Sequence, residues 1–222
     1  MTLNVGRLLG GFDLLQGVPK HPLLEMQQAR DADLFQDFDG RIAQIRDAGM
    51  ITGRRCFDQF FLPVPGVPQN VAELGAGDGE FALDVARNFP DVCYWAIDKR
   101  GISQLQRGSL PPNIYDCSPC EFSILRTFFP PRVVAPFDLV YVIMPLPQAI
   151  SDYVTAASHI LSGGGLVHMI TEDRETLDFT KGYFRNKGLE TRHALLPDYL
   201  MPNTAHIQGF LGVESFHWLV AR

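Results

Sequence analysis

The side chains best placed to do chemistry lie in one short stretch. Val71-Ala-Glu73-Leu-Gly75-Ala-Gly77-Asp-Gly79 sets three glycines at alternate positions, directly after a short apolar run. Glycines between a strand and a helix let the backbone approach a ligand closely and turn amide groups toward it. Asp98 follows at the end of the next apolar run. An acid about 20 residues past such a turn can accept hydrogen bonds from both hydroxyls of a ribose. The pair predicts a nucleoside-binding site.

The detail of the turn narrows the ligand. A dinucleotide turn carries glycine at its sixth position, where this chain has Glu80. Glu73 and Asp78 flank the turn, and two carboxylates there suit a cation better than a pyrophosphate. S-adenosylmethionine, with its ammonium and sulfonium, fits that charge.

Positioning these residues requires alternating strands and helices. Val71–Leu74, Val92–Ile97, Asn113–Asp116, Phe137–Met144 and Leu166–Thr171 read as strands, joined by helices over Phe81–Asn88, Ile102–Arg107 and Ile150–Leu161. The fourth run is apolar at nearly every position, as when helices cover both faces of a parallel sheet. Gly163-Gly-Gly165 reads as a turn before the fifth strand. A helix over Thr176–Lys187 and strands at Glu190–Leu195 and Ser215–Ala221 complete a doubly wound α/β sheet.

Residues 1–66 form a separate helical extension in this reading, ahead of a main domain over 67–222. Apolar positions from His21 to Met50 suit two amphipathic helices broken around Asp39-Gly40. Phe57, Phe60 and Phe61 then cluster before a stiff hinge, Pro63-Val-Pro-Gly-Val-Pro68. The three rings serve either as helical core or as a lid pressing a flat substrate onto the cofactor.

Composition bounds the partners. The 222 residues are 46% hydrophobic, which is enough for a sizeable core, and carry a net charge of -6. That balance argues against gripping a polyanion through bulk charge. No apolar run approaches the roughly 18 residues of a membrane span. The first residues lack the pattern of a cleaved leader, so a cytoplasmic protein is expected. Four cysteines, at 56, 93, 117 and 120, neither frame a disulfide scaffold nor supply a zinc set, and no metal is expected.

From Glu73 to Gly79, and again at Asp98, the chain resembles the class I S-adenosylmethionine-dependent methyltransferases. Phe137–Met144 is similar to their fourth strand, and Leu161-Ser-Gly-Gly-Gly-Leu166 to the glycine turn before their fifth. The resemblance implies a mostly parallel, seven-stranded Rossmann-like sheet. It also implies that Gly75, Ala76 and Gly77 line the methionine moiety, with Glu73 beside them, and that Asp98 holds the ribose. Lys99, Ser118, Pro119 and Cys120 would then border the adenine, and Met144 and Pro145 would face the sulfonium. Within that superfamily the scaffold resembles the bacterial tRNA 7-methylguanosine methyltransferases, through Pro145, Pro147 and Thr171-Glu-Asp-Arg-Glu175. The groups those enzymes aim at guanine and phosphate are replaced here: Met144 stands for an acid, Leu146 for a tryptophan and Gln148 for a lysine.

The expected activity is therefore methyl transfer to a small, planar, nitrogen-containing molecule in a biosynthetic pathway. The alternatives are an RNA methyltransferase of the tRNA guanine N7 type and a non-catalytic cofactor-binding subunit. Phe57, Phe60, Phe61, Leu146, Thr171 and Tyr199 are the substrate-wall candidates. Tyr153, Tyr199, His206 and Asp58 are the candidates for a general base. The N-terminal helices serve as a lid or as the interface of a homodimer.

Overall fold

In a computed structural model, the described residues are 29, 31–52, 55–100, 102, 109–118, 120, 137–197, 213 and 215–222. They build a seven-stranded sheet covered by helices on both faces. In chain order its elements are α1 (Phe38–Thr52), α2 (Arg55–Phe61), β1 (Gln69–Leu74), α3 (Glu80–Asn88), β2 (Val92–Ile97), β3 (Ile114–Asp116), β4 (Phe137–Ile143), α4 (Ile150–Ile160), β5 (Leu161–Thr171), α5 (Arg174–Asn186), β6 (Thr191–Pro197) and β7 (Ser215–Ala221). The strand order is β3-β2-β1-β4-β5-β7-β6. The first five strands run parallel, while β7 is antiparallel to both β5 and β6.

Side chains alternate across each strand, so two cores form. On one face Val71, Tyr94, Leu139, Tyr141 and Trp218 meet α3 and the N-terminal helices through Phe81, Val85, Phe38, Ile45 and Phe61. On the other, Ala72, Trp95, Val140 and Met169 meet α4 and α5 through Val154, Ala157, Leu177 and Phe184. The described helices of the 1–66 segment thus share one hydrophobic cluster with the sheet.

The structure corrects two local expectations. The break in the first helical region falls at Asp37 rather than Asp39-Gly40. Gly40 lies inside α1, with the exposed Asp37 carboxylate 2.5 Å from where a methyl would stand. The Arg41–Asp33 ion pair spans the break. The glycine run at 163–165 does not turn the chain but belongs to β5, which starts at Leu161, after α4 has ended at Ile160. There the β4–β5 register shifts between Phe137 and Leu139. A methyl on Gly165 would stand 2.8 Å from the Asp138 carbonyl oxygen, so glycine lets the irregular ladder close. The helix expected at 102–107 lies outside the described residues, Ile102 excepted.

Candidate functional site at the carboxyl edge of the sheet

Parallel strands end together, and the loops leaving β1, β2, β4 and β5 gather at one edge. After β1 the chain turns through Gly75, Gly77 and Gly79, with φ of 79°, 55° and 83°. These left-handed conformations are the ones glycine adopts freely. The turn is tied to β2, since the Gly75 and Ala76 amides donate to the Ile97 carbonyl at 2.7 and 3.2 Å. Gly79 then starts α3.

Asp98 closes the turn from the other side. It is 8% exposed. Its Oδ2 accepts the Gly77 amide at 3.0 Å and its Oδ1 the Arg100 amide at 2.7 Å. The β3 loop is fastened to the same residue: the Asp98 amide donates to Ser118 Oγ at 3.0 Å, and the Cys120 amide donates to the Asp98 carbonyl at 2.7 Å. Cys117 and Cys120 are buried, and burial pushes the Cys117 thiol well up, which leaves it protonated and inert.

Glu73 lies on β1, two residues before the turn, and is 3% exposed. The Tyr94 hydroxyl donates to its Oε2 at 2.9 Å. Burial raises its carboxyl to about 7; the Tyr94 bond opposes that rise and the nearby Asp98 charge adds to it. The Tyr94 phenol is pushed well above its ordinary value by burial and by Glu73.

The β4 edge carries a backbone signature. Met144 has φ of 50°, among the described residues the one non-glycine with a positive φ, and its amide donates to the Ile170 carbonyl at 2.9 Å. Such a conformation costs about 1–3 kcal/mol and persists where its surroundings enforce it. Pro145 is buried, while Leu146 is 51% exposed at the rim. Tyr153, in the first turn of α4, reaches back over the glycine turn, where a methyl on Gly75 would fall 2.6 Å from its hydroxyl. Burial and the Asp98 charge push its phenol up to about 12, so it keeps its proton at neutral pH. Lys99 pairs with Asp152 of the same helix turn at 3.6 Å.

The structure therefore brings together Glu73, Gly75, Ala76, Gly77, Asp98, Ser118, Cys120 and Tyr153, with Lys99 tied to Asp152 beside Tyr153 and with Met144 and Pro145 following the end of the neighbouring strand β4. Thr171, at the end of β5, is buried and accepts the Asp173 amide at 3.2 Å. Phe61 is wholly buried: its ring packs on Phe81 and Tyr141, and its carbonyl accepts the Tyr141 hydroxyl. Phe60 is half-buried against the same core, and Asp58 is half-buried on α2. Pro119, Tyr199, His206 and the Phe57 side chain lie outside the described residues. The contacts of Tyr94 with Glu73 and of Tyr153 with Gly75 carry no signal along the chain; strand register supplies the first and the return of α4 the second. Among the described residues no three His, Cys, Asp or Glu side chains converge as a metal site. No described helix is long and apolar enough to cross a membrane.

No protein-family model matches the chain. Methyltransferase str2 of Strobilurus tenacellus is 30% identical over 106 residues, covering 46% of this chain and 35% of that protein. Methyltransferase str3 of the same organism is 28% identical over 130 residues, covering 57% and 43%. The chain thus spans less than half the length of either relative. Among solved structures, an antibiotic-related methyltransferase superposes with a TM-score of 0.54 at 14% identity, covering 69% of this chain and 87% of its own. A variant of the 16S rRNA (adenine(1408)-N(1))-methyltransferase from Catenulisporales acidiphilia, solved with its cosubstrate SAM, gives 0.55 at 15%, covering 69% and 84%. The precorrin 8W decarboxylase of Methanobacterium thermoautotrophicum gives 0.53 at 18%, covering 76% and 88%. At these identities the shared property is the fold, which is the Rossmann-like fold of class I methyltransferases.

Proposed function

We propose that the chain transfers a methyl group from S-adenosylmethionine to a small, planar, nitrogen-containing acceptor. The observation that carries the reading is the left-handed glycine turn bonded through the Gly77 amide to the Asp98 carboxylate, at the carboxyl edge of a methyltransferase-type sheet. Partial likeness to two methyltransferases supports it.

The residues fit the cofactor. The left-handed turn at Gly75 and Gly77 brings backbone to the site, with the Tyr153 hydroxyl filling the place of a Gly75 side chain, Asp98 offers carboxylate oxygens to a ribose, and Ser118 and Cys120 flank it beside Lys99. When bound, the cofactor supplies a methyl group activated on a positive sulfur. The protein's part is alignment and exclusion of water. Met144, half-buried, offers an apolar surface at the end of β4 over the buried Pro145, with exposed Leu146 at the rim on the acceptor side. A ring nitrogen or amine with a free lone pair needs no general base, which agrees with Tyr153 keeping its proton. Asp58, Tyr199 and His206 stay in reserve as bases for a protonated acceptor, and Phe60, Thr171 and Tyr199 as parts of its wall.

A small acceptor is favoured because Met144-Pro145-Leu146-Pro147-Gln148 carries no charge and the whole chain is acidic. Kinship of scaffold with the tRNA 7-methylguanosine enzymes belongs to the same reading and rests on Pro145, Pro147 and Thr171–Glu175.

The test incubates the protein with methyl-labelled S-adenosylmethionine and cell extract split into small-molecule and RNA fractions, with and without ribonuclease. Label among small molecules that ignores ribonuclease is expected. Ribonuclease-sensitive label would replace this acceptor with RNA, and no transfer to either fraction would favour a cofactor-binding subunit.

A further inference from the structure

We infer that Glu73 reads the charge of the bound nucleoside: it releases its carboxyl proton to solvent when the sulfonium cofactor binds and regains it when the neutral thioether product takes its place. Preference for cofactor over product then grows with pH. The inference rests on the cofactor reading above and adds a discriminating residue to that site.

The geometry is unusual for an acid. Glu73 is 3% exposed on β1, and the Tyr94 hydroxyl donates to it at 2.9 Å. A buried carboxylate ordinarily has a cation or several donors around it. Among the described residues no cationic side chain pairs with Glu73. The strands beside it present phenols and an imidazole, and the loop after β2 carries Asp98 together with two exposed cations, Lys99, which pairs with Asp152, and Arg100. β2 contributes Tyr94, and the loop after it contributes Asp98. β4 places Tyr141 opposite Glu73 in the parallel register, its hydroxyl donating to Phe61. On β5, His168 is the register partner of Tyr141, and the two rings stack. The turn itself adds Asp78, exposed. Desolvation and Asp98 hold the Glu73 carboxyl near neutrality, where a modest change of local charge decides its state.

The two nucleosides differ by one charge. S-adenosylmethionine carries an ammonium, a sulfonium and a carboxylate; the product has lost the sulfonium charge along with the methyl. Both bring an ammonium, offset by the α-carboxylate of the same molecule, so the sulfonium is the net positive charge that separates them; added positive charge favours the ionised carboxyl, and proton release accompanies the sulfonium form. With Glu73 titrating near 7 before binding and well below that afterwards, cofactor affinity should rise about tenfold from pH 6 to pH 8, with about half a proton released per site at pH 7. The product should show a clearly shallower slope.

Calorimetric titration with S-adenosylmethionine and S-adenosylhomocysteine, at pH 6, 7 and 8 and in two buffers of different ionisation heat, reads both slope and proton count. The expected result is proton release with the first nucleoside, little with the second, and neither slope nor release in Glu73→Gln. Glutamine keeps an acceptor for Tyr94, and circular dichroism checks its fold. Infrared difference spectra should show a protonated-carboxyl band that fades as cofactor is added. Equal slopes for the two nucleosides, or a slope retained in Glu73→Gln, would overturn the inference while leaving the cofactor site standing. Failure of both nucleosides to bind at every pH would overturn the cofactor reading itself.

Discussion

Both oxygens of Asp98 already accept backbone amides, from Gly77 and Arg100, so this one carboxylate shapes the turn it is proposed to serve. Asp98→Ala should therefore cost affinity and stability together. Losing a hydrogen-bonded carboxylate of this kind is worth about 1.5–3 kcal/mol, or about tenfold or more in cofactor Kd by equilibrium titration. Glu73 makes the opposite contribution to folding. Its carboxyl titrates near 4.5 in the unfolded chain and about 7 in the fold. Between those values the native state binds more protons, so stability falls as pH rises through the window. Glu73→Gln should consequently be more stable than wild type at pH 8, by up to about 3 kcal/mol, with the gap closing toward pH 4. Denaturant midpoints at both pH values check it. Of these residues, the glycines, Glu73 and Asp98 are legible in the sequence because their spacing along the chain is itself the signal. Tyr94 is not, because it meets Glu73 only through the pairing of β1 with β2. Tyr153 reaches Gly75 only because α4 returns across that edge.

Strands are more legible along the chain than the places where they deviate. Hydrophobic runs mark all seven, yet the Gly163–Gly165 segment reads as a turn, since a glycine triplet after a helix looks the same whether the chain reverses or joins a bulged ladder. The deciding fact is the Asp138 carbonyl 2.8 Å from a methyl that Gly165 lacks, and Asp138 lies on another strand. Likewise, Gly40 reads as a helix break but lies inside α1. Gly165→Val should weaken the β4–β5 ladder by about 1–3 kcal/mol, seen as a lowered denaturant midpoint. Met144→Gly should relieve the left-handed backbone but forfeit the packing of a half-buried side chain, leaving stability within about 1 kcal/mol of wild type, while loosening the edge that aligns the acceptor and lowering kcat. A glycine variant that stays fully active would mean that the Met144 geometry serves no alignment.

Across the whole molecule, the N-terminal helices are either an appendage or part of the domain. The proline-rich stretch after Phe61 suggests a boundary near residue 66. The described helices α1 and α2 nevertheless bury Phe38, Ile42, Ile45 and Phe61 in the same cluster as Val71, Tyr94, Tyr141 and Trp218. The Phe38 ring lies 5.9 Å from that of Trp218 on β7, and Arg46 donates to the Leu195 carbonyl of β6 at 3.0 Å. Contacts of this kind reach from the glycine turn, through Phe81, to the antiparallel end of the sheet. α1 thus covers part of one sheet face beside α3, and Phe61 of α2 is buried in the same cluster as Val71 of β1. Ile45 is wholly buried at this junction. Ile45→Ala should cost about 2–5 kcal/mol in the whole cooperative transition. Far-ultraviolet ellipticity and tryptophan fluorescence, which reports Trp218 and Trp95, should shift together to a lower denaturant concentration. A variant in which part of the helical signal melts first, while the fluorescence transition stays where it was, would show instead that residues 1–66 fold on their own terms.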